Sequence, residues 1–172
     1  MPQPFNILCI GQAGRLAQEA VLLAASLRQS DPGFAGQLFV AEPTGARWRS
    51  ETRIPEPLRG LLQDLGATIL PFENKVFGED YPYGNKIEAL TALPEAPFVF
   101  LDTDTLILGR LSQVAFDFAR PSASMRREGT WPQISLYGPN YAQIWGALYA
   151  RFGLDMGPTL DLSQPDDYWQ RH

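Results

Sequence analysis

The sequence predicts an α/β fold: a mostly parallel, twisted sheet with helices on both faces. Three observations carry this expectation. Short apolar runs rich in β-branched and aromatic residues alternate along the chain with stretches whose apolar residues recur at helical spacing. Gly and Pro clusters separate the two kinds of segment. The run Phe98-Val99-Phe100-Leu101 lacks any polar alternation, as expected of a strand covered on both faces.

Taken in order, "FNILCIG" reads as the first strand, with Cys9 as one of its small core residues. The stretch "GRLAQEAVLLAASLRQS" then sets Leu16, Ala20, Leu23, Ala24 and Leu27 at helical spacing. After the turn "DPGFAG", "QLFVAEP" is a second strand, and "PLRGLLQDLG" carries Leu58, Leu61, Leu62 and Leu65 on one helical stripe closed by Gly66. The third strand is "ATILPF". The loop "GEDYPYGN" leads into a short helix from about Asn85 to Leu93, which Pro94 and Pro97 stop before the fourth strand. Beyond it, "PNYAQIWGALYARFG" is an amphipathic helix with Pro139 near its start, Tyr141, Ile144, Trp145, Leu148 and Phe152 on one stripe, and Gly153 past its end.

With 172 residues, 45% hydrophobic and 19% charged, the chain suits a single domain spanning 1–172. A net charge of −5 without a dense Lys/Arg block argues against nucleic acid or an anionic membrane as the main partner. One cysteine excludes an intrachain disulfide, no apolar run approaches a membrane span, and the N-terminus has no basic-then-apolar leader, so the cytoplasm is the expected location. The final segment "LSQPDDYWQRH" has a helix-start pattern, with Ser163 three residues before Asp166, where the chain stops. That suggests either an incomplete domain or a docked tail.

The fourth strand ends in Asp102-Thr103-Asp104. Two carboxylates two residues apart cost several kcal/mol if buried, ionised and unpaired, so positive charge or water must accompany them. They could simply cap a turn. In a wound β/α order, however, they fall at the carboxyl ends of the strands, where the ligand crevice lies, and a divalent cation bridging to a diphosphate removes the charge problem directly. Lys86 points the same way, because a cation in the first turn of a helix opposes the macrodipole and an anion in front of it would offset that. Its bland alternative is a solvent-facing lysine paired with Glu79 or Asp80.

At "YGNKIEAL" and "PFVFLDTDTLIL" the sequence resembles nucleotide-sugar-dependent glycosyltransferases of the GT-A fold, in particular the glycogenin-like and galactosyltransferase-like branch, over roughly residues 5 to 115. The resemblance implies a metal-binding acid-any-acid motif at Asp102 and Asp104, with Mn²⁺ or Mg²⁺ held against the donor's diphosphate. It also implies a nucleotide-sugar donor, UDP-sugar above all, over Gly11, Gln12 and Ala13, with Thr103 between the acids and Lys86 near the phosphates. Tyr83 could stack on the base or sugar, or pack the loop. The acceptor, a sugar or a protein, would be bound by a later half of the fold, which is expected to be incomplete here, so a truncated or inactive binding module is an alternative. No catalytic base can be named.

Two rivals remain. Gly11, Gly14 and Ala17 have G-x-x-G-x-x-A spacing and Glu42 ends the second strand, as in a dinucleotide-binding Rossmann unit. A haloacid-dehalogenase-type phosphatase also has two acids two apart, but on its first strand and with Thr or Val where Leu106 stands. His172, the only histidine, is the last residue and a poor ligand candidate. Trp131, Tyr137, Trp145 and Tyr149 suit packing more than sugar stacking, and an exposed apolar surface is expected around residues 139–152.

Overall fold

The computed structural model describes residues 3–119 and 136–159. Trp131, the segment from Ser163 onward and His172 lie outside the described residues. The chain divides into two compact units, Met1–Phe118 and Ala119–His172.

The first unit is the expected wound α/β structure. Its elements are β1 (Asn6–Ile10), α1 (Arg15–Ser30), β2 (Leu38–Thr44), α2 (Glu56–Asp64), β3 (Ala67–Glu73), α3 (Asn85–Glu88) and β4 (Phe98–Phe100). All pairings are parallel, in the order β3-β2-β1-β4, with Ile7 opposite Leu38 and Leu8 opposite Phe100. Period-two alternation sorts the strands' side chains into two cores. Ile7, Cys9, Leu38, Val40, Ile69, Val99 and Leu101 face α1 and α2. Leu8, Ile10, Phe39, Ala41, Phe72, Phe98 and Phe100 face Ala89, Ala92 and Leu93, the end of the α3 segment. Helical packing therefore covers both faces, which is what parallel strands require.

Three sequence expectations are corrected. Leu61 is 48% exposed rather than part of the buried stripe of α2, where Leu62 alone is fully buried and Leu58 and Leu65 are partly so. The helix expected from Asn85 to Leu93 is a single α turn, Asn85–Glu88, continued by a 3-10 turn, Ala89–Thr91. β4 is half-buried rather than covered throughout; among the described residues it pairs on one side, with β1. Pro43 sits inside β2 without cost: Ala41 directs its carbonyl to Gly11 on the β1 side, and two residues on, β1 has ended, so the missing N–H had no strand to bond.

Cys9 is fully buried, and burial pushes its thiol up to about 12. The native protein is expected to resist an aromatic disulfide reagent at about pH 8 and to release one equivalent on denaturation. Prompt native labelling would show that β1 is not held in the sheet.

In the second unit, α4 (Tyr141–Arg151) is capped reciprocally: Gln143 donates its backbone N–H to Asn140 Oδ1 (2.8 Å), and Asn140 donates its own to Gln143 Oε1 (2.9 Å). Gly153, at φ 65°, closes it. Ile144, Trp145 and Tyr149 are half-buried, whereas Phe152 is exposed and falls past the helix end.

Candidate functional site

The strand order reverses between β1 and β4. From β1 the chain winds outward to β2 and β3, then returns past β1 to lay down β4. In an open parallel sheet this switch point opens a crevice beyond the carboxyl ends of the two strands. Gly11-Gln12-Ala13 leaves β1 there, and Asp102-Thr103-Asp104 leaves β4 at the same edge, as the sequence led us to expect.

The acids do not sit in the strand itself. β4 ends at Phe100, Leu101 donates its N–H to Leu8 O (2.9 Å), and Thr105 donates to Asp102 O (3.1 Å), closing a turn over residues 102–105. Asp102 and Asp104 are exposed, while Thr103 is buried. The alternation of β4 continues into this turn. Asp102 follows Phe100 toward α3, where its Oδ1 meets Lys86 Nζ at 2.6 Å. Thr103 follows Leu101 toward α1, where its hydroxyl donates to Glu19 Oε2 (3.1 Å). Glu19 also holds Arg15 (2.9 Å) across one helical turn. Helices on opposite faces of the sheet thus fix the turn. Among the described residues no hydrogen bond or ion pair reaches the Asp104 carboxylate.

Lys86 is therefore not paired with Glu79 or Asp80, whose partner is Arg49. The Arg49 guanidinium and backbone hold the Glu79 carboxyl below its usual value. Lys86 instead meets Asp102. Its ammonium group also lies over the Phe100 ring, with Nζ 5.4 Å from the centroid. What places the lysine is a buried polar network absent from our sequence reading. Glu88, one residue beyond Ile87 on α3, accepts the successive backbone N–H groups of Lys75 (2.6 Å), Val76 (2.9 Å) and Phe77 (3.1 Å), together with Asn74 Nδ2 (2.7 Å). Three consecutive N–H groups turned inward form an anion-binding concavity, filled here by the protein's own carboxylate. Burial disfavours the charge on Glu88, yet these hydrogen bonds outweigh it and lower its pKa to about 2. Asn74 also donates to Asn85 Oδ1 (2.9 Å) and accepts from Trp48 Nε1 (2.7 Å), tying α3 to the loops after β2 and β3.

On the β1 side, Gly11 is required by packing: a Cβ there would meet Val40 Cγ1 at 2.3 Å and Ile54 Cδ1 at 2.9 Å. Gly14, at φ 86°, turns the chain into α1. Ala13 gives its N–H to Thr52 O (3.0 Å), so this amide is already used. Glu42, the ribose-binding candidate of the dinucleotide reading, is buried and occupied by Arg59 Nη2 (2.6 and 2.8 Å) and by the N–H of Ile54 (2.7 Å). Tyr83 is 70% exposed, with its ring 5.9 Å from Tyr81, so it does not pack into the loop core.

Chemically, the edge beyond β1 and β4 presents two exposed carboxylates, one lysine paired with the first of them, and an arginine-bound glutamate behind the turn. Two carboxylates leave most of a hard cation's shell to phosphate oxygens and water, which is the usual provision for Mg²⁺ or Mn²⁺. Among the described residues no three His, Cys, Asp or Glu side chains stand together as a metal cluster, so any ion held here would depend on a ligand's oxygens. Among the described residues, too, no helix is long and apolar enough to cross a membrane.

A family model described as a Rhodobacterales glycosyltransferase domain matches residues 7–172. No curated protein and no solved structure matches the chain.

Proposed function

Because the chain belongs to the Rhodobacterales glycosyltransferase domain family, we propose that its switch-point crevice binds a nucleoside-diphosphate sugar, a UDP-sugar above all, together with Mn²⁺ or Mg²⁺, in a GT-A-like arrangement. One observation carries the reading: Asp102 and Asp104 emerge exposed at the carboxyl end of β4, beside the end of β1, with Lys86 in contact. Asp102 and Asp104 would hold the cation. When bound, it supplies positive charge against the diphosphate that leaves the sugar. Lys86 contributes a further cation to the same phosphates. Gly11-Gln12-Ala13 and Tyr83 would contact the nucleoside, and Thr103, whose hydroxyl donates to Glu19, would leave the two acids free to face the ligand. The dinucleotide alternative has less support, since Glu42 is already bound by Arg59 and Ile54.

The test is a thermal-shift series of nucleoside diphosphates with Mn²⁺ or with chelator. At about a hundred times Kd, UDP with Mn²⁺ is expected to stabilise by about 2.7 kcal/mol, a rise of roughly 5–10 °C for a domain of this size. An equal shift in chelator, or none with any nucleoside diphosphate, would remove the proposal.

A further inference from the structure

Lys86 and the cation proposed above need the same carboxylate. Lys86 Nζ lies 2.6 Å from Asp102 Oδ1, both side chains about half exposed, while Asp104 has no ion-pair partner among the described residues. The lysine is held near this position from behind: Glu88, two residues along α3, is fixed by three backbone N–H groups, and the ammonium group lies over the Phe100 ring. From these contacts we infer that Lys86 is an internal competitor for the metal site, so that the crevice takes up a divalent cation well only together with a diphosphate. The inference rests on the reading of Asp102 and Asp104 as the metal site and adds an order to it.

A cation arriving alone must break the Lys86–Asp102 pair and then sits beside a displaced ammonium group that repels it. A diphosphate arriving with the cation gives Lys86 a new partner, so the ammonium group that opposed the metal alone now favours the ternary complex. Binding of metal and of diphosphate is therefore coupled, and the coupling is reciprocal: each raises the affinity of the other by the same factor. An exposed ion pair is modest in strength, and added repulsion brings the expected effect to about three- to tenfold in metal affinity.

Lys86→Met removes the charge and keeps an unbranched side chain of similar length; Lys86→Arg keeps the charge and serves as a control. Mn²⁺ binding is read directly, by calorimetry or by the loss of the free-ion paramagnetic signal, with and without UDP. Lys86→Met is expected to bind Mn²⁺ alone about three- to tenfold more tightly than wild type, and UDP is expected to improve its Mn²⁺ affinity less. Lys86→Arg, which keeps the competing charge, should bind Mn²⁺ alone no more tightly than wild type and keep the coupling to UDP. If wild type shows coupled Mn²⁺ and UDP binding but Lys86→Met binds Mn²⁺ alone no more tightly, the competition is overturned and the metal–diphosphate reading stands. If wild type binds neither Mn²⁺ nor UDP, both are overturned. Circular dichroism of each variant confirms that folded protein is being compared.

Discussion

Asp102→Asn and Asp104→Asn are each expected to weaken Mn²⁺-dependent UDP binding at least tenfold, about 1.4 kcal/mol, with the fold retained. Both side chains are exposed on a turn closed by backbone, through the Thr105 N–H and the Asp102 carbonyl, so neither carboxylate is needed to hold the chain's path. The amide keeps the size and removes the charge. Asp102→Asn also frees Lys86, but a half-exposed pair contributes at most about 1 kcal/mol, so urea midpoints should move little. Calorimetric titration of UDP with Mn²⁺ reads the effect. Wild-type affinity in both variants, or equal UDP affinity of wild type in chelator, would make the acids structural and leave the proposed site without its main support.

Glu88→Ala acts on stability instead, with an expected loss of about 3–5 kcal/mol. The Asn74 amide loses its acceptor in a buried setting and three backbone N–H groups lose theirs in a partly buried one, where an orphaned buried donor costs about 1–3 kcal/mol before relaxation. The same carboxylate imposes a pH dependence. Its folded pKa is about 2 against an ordinary 4.5, so the unfolded chain binds the proton first. The contribution is fully present above about pH 4.5 and is lost as pH falls toward 2. Urea denaturation from neutral to acid pH should show wild type losing stability more steeply than Glu88→Gln between those values. Parallel pH profiles would mean that Glu88 does not hold the Lys75–Phe77 loop. Since α3 carries Lys86, the substitution should also blunt the metal and UDP coupling.

The sheet was legible because its signal is local. Ile7/Leu8 and Val99/Phe100 alternate between two cores, and Leu23, Ala24 and Leu27 recur on one side of a helix. Leu61 and the half-burial of β4 were not legible, since a sequence periodicity does not tell how wide the covering helix is or which strand ends the sheet. For the site, the position of Asp102, Asp104, Gly11 and Gln12 at one edge followed from parallel strands alone. The partners did not. Thr103 meets Glu19 across 84 residues of sequence, and Glu88 meets Asn74 across 14. Such polar contacts obey no period, and an acid within "NKIEAL" looks like an ordinary helix-surface residue until the fold turns it inward. The one clue at hand was that Asn74, Asn85 and Glu88 all lie near the short helix in a chain segment rich in turn formers.

The pleat of β4 acts as a reading frame for the turn that follows it. Phe100 and Asp102 are read by α3, Leu101 and Thr103 by α1. Inserting a single residue between Phe100 and Asp102 would shift that frame by one, as any odd change in a strand exchanges its two faces. The first acid would then meet Glu19, carboxylate against carboxylate, and threonine would meet Lys86. An insertion of two residues restores the frame and only lengthens the reach of the turn. Length changes at this junction are thus sorted by parity, and the odd ones set up repulsion on the α1 side while removing the ion pair on the α3 side.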